Sequence, residues 1–238
     1  TFRRFLIKIT ADYMICLLIQ INNYDMIKTY KKRIQKGGFH MSKRIITINR
    51  MYGSGGRVLG KALAEKLGYA FYDKELIELA GKEKQIPFHE LAKVDEKKPH
   101  QWRFSGDHDV QITPDFYTVP MNDVLYEAQR DIILSLAEKG SCVIVGRCAN
   151  QILKGRSLSV FIHAPFDLRV RNVQARTGRE ERSARKMVKR TDKERRAYYE
   201  FFTDAKWTDL SQYDLCIDSS RFTQDQILEI LTEAAREC

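Results

Sequence analysis

The sequence lacks the patterns that identify several large classes of protein. Its five cysteines form no C-x-x-C pair and show no His/Cys spacing suited to a metal, so neither a zinc site nor a disulfide framework is indicated. They are typical of free thiols in a reducing cytoplasm. The apolar run at residues 14–21 is too short to cross a bilayer, which needs about 20 residues. We therefore expect a cytoplasmic protein without a membrane partner.

Excess positive charge is confined to one part of the chain. The formal net charge is +10, but residues 1–40 hold eight Lys/Arg and two Asp/Glu, which accounts for +6. The remaining 198 residues carry 33 Lys/Arg against 29 Asp/Glu, a net charge of +4. Because this larger part is nearly neutral, we expect no specific nucleic-acid partner. Its length suits one globular domain.

The first forty residues differ in composition from the rest. They are rich in Ile, Asn, Lys and Tyr, and the codons of Lys36-Gly37-Gly38 can be read as AAAGGAGG, a bacterial ribosome-binding sequence ahead of Met41. Our hypothesis is that Met41 is the native start and that residues 1–40 are a translated leader; the alternative is a basic or disordered arm. N-terminal sequencing of native protein that begins upstream of Met41 would contradict the hypothesis. We expect residues 41–238 to form the folded domain.

Regular patterns begin at residue 45. An apolar β-branched run, residues 45–48, predicts a buried strand, and a glycine turn, Gly53-Ser54-Gly55-Gly56, precedes a helical pattern that ends at Gly68. A second strand at residues 69–72 leads to Asp73. In such a βαβ unit, backbone N–H groups and the positive end of the helix face one spot, which favours phosphate binding. The alternative is a plain connecting turn.

The remaining pattern predicts an α/β fold with a parallel, doubly wound sheet covered on both faces. Strands are predicted at 141–145, 158–163 and 214–217, and helices at 74–84, 121–139, 149–154 and 166–176, with a last helix after Thr223. Residues 85–118 lose periodicity, which is typical of a segment that covers a substrate. Arg147 follows a predicted strand, at the edge of the sheet where ligands collect.

Residues 169–206 are rich in charge, with 13 Lys/Arg and six Asp/Glu. Arginine suits phosphate because its planar fork matches phosphate oxygens and its charge does not titrate away. We therefore predict an arginine-rich lid at about residues 177–195. The alternative is a solvated helix face.

In its order of motifs the chain resembles the cytidylate-kinase-like branch of the P-loop nucleoside monophosphate kinases. The resemblance covers about residues 43–236 and is carried by YGSGGRVLGKALAEKLG, FYD, VIVGRCAN, VFIHAP, the DKER segment at 192–195 and YDLCIDSS. It implies a three-layer P-loop kinase fold with an acceptor-binding insertion at 85–118. It also implies ATP with Mg²⁺, and transfer of the γ-phosphoryl group to a nucleoside or deoxynucleoside monophosphate such as CMP.

The phosphate loop departs from the ordinary pattern, G-x-x-x-x-G-K-[ST]. Arg50 stands at the first glycine, Gly56 replaces the lysine, and no Ser or Thr follows it. We expect Arg57 to supply the missing charge, with Arg50 as the alternative. Mg²⁺ would need other carboxylates or phosphate oxygens and water, and no metal-ligating residue is identified. Cys148 replaces an aspartate that helps cytidylate kinases read cytosine, which leaves the acceptor open.

The resemblance implies a set of site residues. The donor phosphate is expected at Gly53, Ser54, Gly55, Gly56 and Arg57, and the acceptor at Asp73, Arg147 and Asp192. Arg57, Arg190 and Arg195 are the predicted catalytic residues.

The same patterns bear on three other functions. A nucleotide-binding regulatory protein without catalysis is favoured by the altered loop. A dinucleotide-binding oxidoreductase is disfavoured because Val58 stands where G-x-G-x-x-G needs its third glycine. A nucleic-acid binder is disfavoured by the interspersed acids of residues 169–206. The sequence predicts no oligomeric state.

Overall fold

A computed structural model describes residues 45–87, 89, 93, 95–97 and 121–237. The predicted leader at 1–40 and most of the predicted insertion at 85–118 lie outside these residues. The described part contains a five-stranded parallel sheet with the strand order β2-β3-β1-β4-β5. Its strands are β1 (Ile45–Arg50), β2 (Ala70–Tyr72), β3 (Cys142–Val145), β4 (Leu158–His163) and β5 (Leu215–Asp218).

Helices alternate with these strands along the chain. They are α1 (Gly56–Leu67), α2 (Glu75–Lys84), α3 (Met121–Lys139), α4 (Ala149–Ile152), α5 (Phe166–Thr177), α6 (Glu181–Thr203) and α7 (Gln224–Glu237), with a 3-10 turn at Leu210–Gln212. The predicted end signals act as expected. Gly68 takes a left-handed conformation (φ +68°) and donates its N–H to carbonyls at the end of α1. The hydroxyl of Thr223 accepts from the amide of Gln226 at the start of α7.

The core has two layers, one on each face of the sheet. Side chains of a strand point alternately to opposite faces, so Ile46 and Ile48 of β1 pack against α1 and α7, whereas Ile45 packs against α2 and α3. All six residues of β1 are buried, which suits the central strand of a sheet covered on both sides. The predicted three-layer, doubly wound fold is thereby confirmed. No helix in the described ranges is long and apolar enough to span a membrane.

Parallel strands bring their carboxyl ends to one edge of the sheet. β1 ends at Arg50, β2 leads to Asp73 and β3 leads to Arg147. The order along the sheet reverses around β1, since β2 and β3 lie on one side of it and β4 and β5 on the other. Ligands of open α/β sheets bind in the crevice at such a reversal. The fold therefore collects the predicted site residues Asp73 and Arg147 beside the glycine loop.

The packing of α1 on the sheet gives a first prediction. Leu63 is fully buried in the layer formed with α7, so we expect Leu63→Ala to lower the free energy of unfolding by about 2–5 kcal/mol. Urea unfolding measures this change. Val58→Ala on the same helix is the control, because Val58 is 57% exposed and should change stability by about 0.5 kcal/mol or less. Equal losses in the two variants would contradict the assigned packing of α1.

Candidate active site

The glycine loop between β1 and α1 leaves backbone donors available. Gly53 and Gly55 have φ values of +84° and +83°, a left-handed conformation that glycine adopts without strain. Within the described ranges, no side chain caps α1, no acid lies in its first turn, and no protein acceptor engages the amides of Gly55, Gly56 and Arg57. These amides and the positive end of α1 suit an anion.

Two of the loop glycines are required by close neighbours. A Cβ on Gly53 would lie 2.6 Å from the carbonyl oxygen of Arg169, and a Cβ on Gly56 would lie 2.6 Å from Cβ of Arg50. The side-chain amide of Asn172 donates to the carbonyl of Gly53 at 2.9 Å. The loop is therefore held between the end of β1 and helix α5.

Ser54 has a structural use in the loop. Its hydroxyl lies 2.8 Å from the carbonyl oxygen of Met51 and 3.1 Å from that of Ile162, and its amide donates to Met51 at 3.3 Å. These bonds tie the loop to itself and to β4. Among the residues predicted to hold the donor phosphate, Gly55, Gly56 and Arg57 are therefore better placed to donate than Ser54.

Four arginines and three carboxylates meet beside this loop, and we call them the arginine cluster. Its members are Arg50, Arg57, Arg147, Arg195, Asp73, Asp95 and Glu96. The buried carboxylate of Asp73 accepts from Nη1 of Arg147 at 2.9 Å and from Nε of Arg57 at 2.5 Å. Nη2 of Arg50 lies 4.0 Å from it. The structure thus brings together the predicted residues Asp73, Arg147 and Arg57, although Arg57 keeps half of its side chain exposed.

Glu96 lies at the centre of the arginine cluster. Both terminal nitrogens of Arg50 donate to its carboxylate, at 2.7 and 3.0 Å. Nε of Arg195 and the amide of Arg147 also donate to it, at 3.3 and 3.2 Å. Neighbouring Asp95 accepts from Nη2 of Arg147 at 2.7 Å. A short described part of the predicted insertion therefore occupies the space between the arginines.

The charges of the cluster shift the pKa values of its members. Burial opposes the charge of Glu96, yet Arg50, Arg195 and Arg147 outweigh burial and hold the pKa of Glu96 well below its usual range. Burial raises the pKa of Asp95 and nearby Glu96 adds to this effect, despite the opposing Arg147.

Burial and nearby charges also shift the pKa values of Asp73 and Arg195. Asp73 is buried, but Arg147 and Arg50 lower its pKa. Burial and the like charge of Arg50 lower the pKa of Arg195 to about 10, at which it remains protonated at neutral pH. With four guanidinium groups against three carboxylates, the cluster keeps an excess of positive charge.

One donor of the cluster is unsatisfied. Nε of Arg147 is buried and has no hydrogen-bond partner within the described residues. A buried unpaired donor costs about 1–3 kcal/mol, and such groups call for a ligand or another specific reason. Arg147 lines a small cavity whose other walls are Asn49, Arg50, Glu96, Cys148, Arg195, Tyr198, Tyr199 and Trp207.

Helix α6, which contains most of the predicted lid, contacts the glycine loop and the end of β1. Asp192 accepts from the amide of Tyr52 at 2.7 Å and from Nη1 of Arg169 at 2.5 Å. Arg195, one turn further along, donates to the carbonyl of Arg50 at 3.2 Å. Asp192 thus connects parts of the protein to each other, and its predicted contact with the acceptor stays a prediction.

Arg190 lies outside the arginine cluster. Its side chain is 69% exposed and approaches Glu194 at 3.9 Å. Arg195 lies five positions further along the helix. At 3.6 residues per turn, this spacing points the two side chains about 140° apart. The predicted catalytic role of Arg190 therefore has no geometric support here and stays a prediction. A depression along α6 is lined by charged residues outside the arginine cluster, namely Glu181, Arg182, Arg185, Lys186 and Lys189.

Aromatic side chains form part of the wall of the small cavity that Arg147 lines. Tyr198, Tyr199, Trp207 and Phe161 are buried and belong to one hydrophobic cluster. Cys148 lies among them with a positive φ of +57°, and burial raises the pKa of its thiol. The neutral thiol contacts a wall that is otherwise aromatic.

The described residues fit phosphate but not a protein-bound Mg²⁺. The free amides of the loop and the surplus positive charge suit phosphate oxygens. No Ser or Thr follows Gly56, and both oxygens of Asp73 already accept from arginines. Within the described ranges, no group of three His, Cys, Asp or Glu side chains could hold a metal ion.

Several residues of the site were missed by the sequence pattern. Glu96 and Asp95 lie in a segment without periodicity, so nothing marked them among its many charges. Arg169 and Asn172 lie on the predicted helix at 166–176, but their contacts with the loop depend on how that helix packs. The four clustered arginines are the one available signal, since buried arginines require nearby acids.

Comparisons with known proteins find relatives in sequence and in fold. The sequence profile described as the cytidylate kinase-like family matches residues 45–221. A cytidylate kinase of Methanosarcina mazei is 30% identical over 199 residues, which cover 79% of this chain and 94% of the relative. That of Methanopyrus kandleri is 28% identical over 202 residues, 80% of this chain and 92% of the relative. A solved structure of an uncharacterized protein from Eubacterium ventriosum is 28% identical with a TM-score of 0.57, covering 80% of this chain and 97% of that one.

The buried charge of Asp73 gives a prediction about pH. Its folded-state pKa is lowered, so its contribution to stability is present above the unfolded pKa of about 3.9 and is lost as the pH falls through the folded value. We expect Asp73→Asn to cost about 3–5 kcal/mol near neutral pH, because it leaves buried arginines short of a partner. The difference from the wild-type protein should stay constant near neutral pH and shrink as the pH falls below about 4, toward the lowered folded pKa of Asp73.

Urea unfolding at a series of pH values measures this difference. The control is Asp131→Asn, whose side chain is 57% exposed and lies outside the cluster. A difference between Asp73→Asn and wild type that stays constant on acidification would contradict the assigned charge of Asp73.

Proposed function

The chain belongs to the cytidylate kinase-like family, and from this premise we propose that it transfers the γ-phosphoryl group of ATP to a nucleoside or deoxynucleoside monophosphate. CMP is the first acceptor to test, because the curated relatives are cytidylate kinases. One observation carries the proposal: the surplus positive charge of the arginine cluster lies beside a glycine loop whose amides are available. Two anionic groups, one from the donor and one from the acceptor, are what such a site can bring together.

The reaction needs little covalent chemistry from the protein. A phosphate oxygen of the acceptor attacks the γ-phosphorus of ATP, and the bond from that phosphorus to the bridging oxygen of ADP breaks. The products are ADP and a nucleoside diphosphate. Positioning the two nucleotides in line and neutralising the transferred oxygens supply most of the acceleration.

The donor side is formed by the loop. The amides of Gly55, Gly56 and Arg57 and the positive end of α1 bind phosphate oxygens of ATP. Mg²⁺ would reach the site on the phosphates of ATP with water among its other ligands, since the residues that the structure describes include no cluster suited to hold it. No step depends on a metal held by the protein.

The acceptor side is formed by Arg147, Asp73 and Arg195. The unsatisfied Nε of Arg147 supports a role in binding an oxygen of the acceptor. Arg195, which contacts both Glu96 and the end of β1, is suited to neutralise the transferring group. Its pKa of about 10 leaves it charged throughout the neutral range.

A regulatory protein that binds nucleotide without transfer is the second candidate. The missing loop lysine favours it. The cytoplasmic location, the absence of a nucleic-acid partner and the native start at Met41 are still predictions from the sequence.

One experiment separates the two candidates. The full chain is incubated with Mg·ATP and, in turn, with CMP, dCMP, UMP, AMP and GMP, and formation of ADP and of each diphosphate is measured. Transfer to any acceptor supports the kinase. Saturable ATP binding without transfer supports the regulatory protein, and a chain that binds no nucleotide contradicts both.

Arg195 gives the sharpest test of the site. We expect Arg195→Ala to lower turnover by roughly 10³-fold or more, the range known for an arginine at the transition state of phosphoryl transfer. Arg196→Ala is the matched control, because Arg196 is the next residue of α6 and is exposed. Arg190→Ala tests the other predicted arginine. Unchanged turnover in folded Arg195→Ala protein would remove Arg195 from the mechanism.

A further inference from the structure

The two unusual positions of the phosphate loop touch each other. In the ordinary pattern a glycine ends the strand and a lysine begins the helix. Here Arg50 ends β1 and Gly56 begins α1, so the large and the small residue have changed places. A Cβ on Gly56 would lie 2.6 Å from Cβ and 3.2 Å from Cγ of Arg50. A side chain at position 56 and an arginine at position 50 therefore exclude each other.

Arg50 places its charge between the two halves of the site. It is 6% exposed, and its stem passes the start of α1. Its guanidinium fills the space beside Gly146, where a Cβ would come within 2.3 Å of Nη1. The group thus lies between the glycine loop and the end of β3, where the donor and acceptor phosphates would meet.

We propose that Arg50 takes the place of the missing loop lysine and binds the phosphate oxygens that the lysine would hold. Gly56 lacks a side chain because Arg50 needs its space. The inference rests on the proposed function and assigns its central cation. It also revises the expectation that Arg57 fills this role.

The surroundings of Arg57 differ from those of Arg50. Half of the Arg57 side chain is exposed, its Nε is held by Asp73, and its guanidinium lies 5.9 Å from the ring centre of Phe71. These contacts turn it toward the second strand and away from Glu96. Arg57 is the counter-ion of Asp73 in this arrangement.

The carboxylate of Glu96 shows what Arg50 can bind. Two parallel hydrogen bonds join them, the geometry that an arginine also uses for two oxygens of a phosphate. Arg195 and the amide of Arg147 complete the ring of donors around the same carboxylate. Glu96 is the resting partner of Arg50, and bound phosphate replaces it. The exchange keeps the guanidinium paired in both states, which avoids leaving a buried charge uncompensated.

The test is an exchange of the two residues back to the ordinary pattern. Arg50→Gly, Gly56→Lys and the double variant are compared with wild type in ATP affinity and in turnover with the best acceptor. Each single variant should lose about 100-fold or more, the range for removing one preorganised donor, because the first lacks the cation and the second has no space for it. The double variant should recover at least about tenfold over both singles.

A second pair of variants keeps the stem of residue 50 beside Gly56. Arg50→Lys retains the charge but not the planar fork, so it should lose less ATP affinity than Arg50→Met, which lacks the charge and should lose about 100-fold. Thermal unfolding tests the steric conflict between residues 50 and 56. Gly56→Ala should lower the Tm, because its Cβ would lie too close to Arg50. Gly140→Ala is the control, because nothing lies within 4 Å of a Cβ there.

The outcomes separate this inference from the proposed function. Wild-type protein that transfers phosphate, together with a folded double variant no better than the singles, would overturn the role of Arg50 and leave the kinase standing. Equal ATP affinity in Arg50→Lys and Arg50→Met, or an unchanged Tm in Gly56→Ala, would overturn it as well. If wild type binds ATP without transfer, the same comparisons are made in ATP affinity. A wild-type chain that binds no ATP removes both proposals.

Discussion

The site depends on balancing positive charge in a buried space. Arg50, Arg147 and Arg195 are shielded from water, and each has a carboxylate within hydrogen-bonding distance. Buried guanidinium groups without partners would be costly, so Asp73 and Glu96 are structural requirements of the site. A site proposed to bind phosphate has to hold its cationic groups in place before phosphate arrives, and the carboxylates make this possible.

The same balance couples elements that are distant in sequence. Asp73 follows β2, Arg147 follows β3, Glu96 lies in the predicted insertion and Arg195 belongs to α6. Asp192 adds a second link between α6 and the loop, because it accepts from both Tyr52 and Arg169. Exchange of Glu96 for a phosphate would therefore change contacts of the loop, of α6 and of residues 95–97. One set of ion pairs therefore connects the glycine loop, α6 and residues 95–97.

The sequence predicted the fold and the edge of the sheet that carries the site, because hydrophobic periodicity and glycine positions report local structure directly. It placed Asp73 and Arg147 in one site, because the carboxyl ends of parallel strands lie at the same edge of the sheet. It could not identify Glu96, whose position depends on non-local packing in a segment without periodicity. It grouped Arg190 with Arg195 by charge, although their spacing on a continuous helix separates them. It favoured Arg57 over Arg50 because only the packed structure shows whose stem fills the space at Gly56.

Mutual exclusion between Arg50 and a side chain at position 56 has a consequence for how such a loop can change. A lysine introduced first would clash with the arginine, and a glycine introduced first at position 50 would leave the site without either cation. Either substitution alone would therefore impair the protein, so positions 50 and 56 would have to change together. A search that requires the lysine would classify this loop as damaged, whereas one that reads both positions together would find a complete alternative.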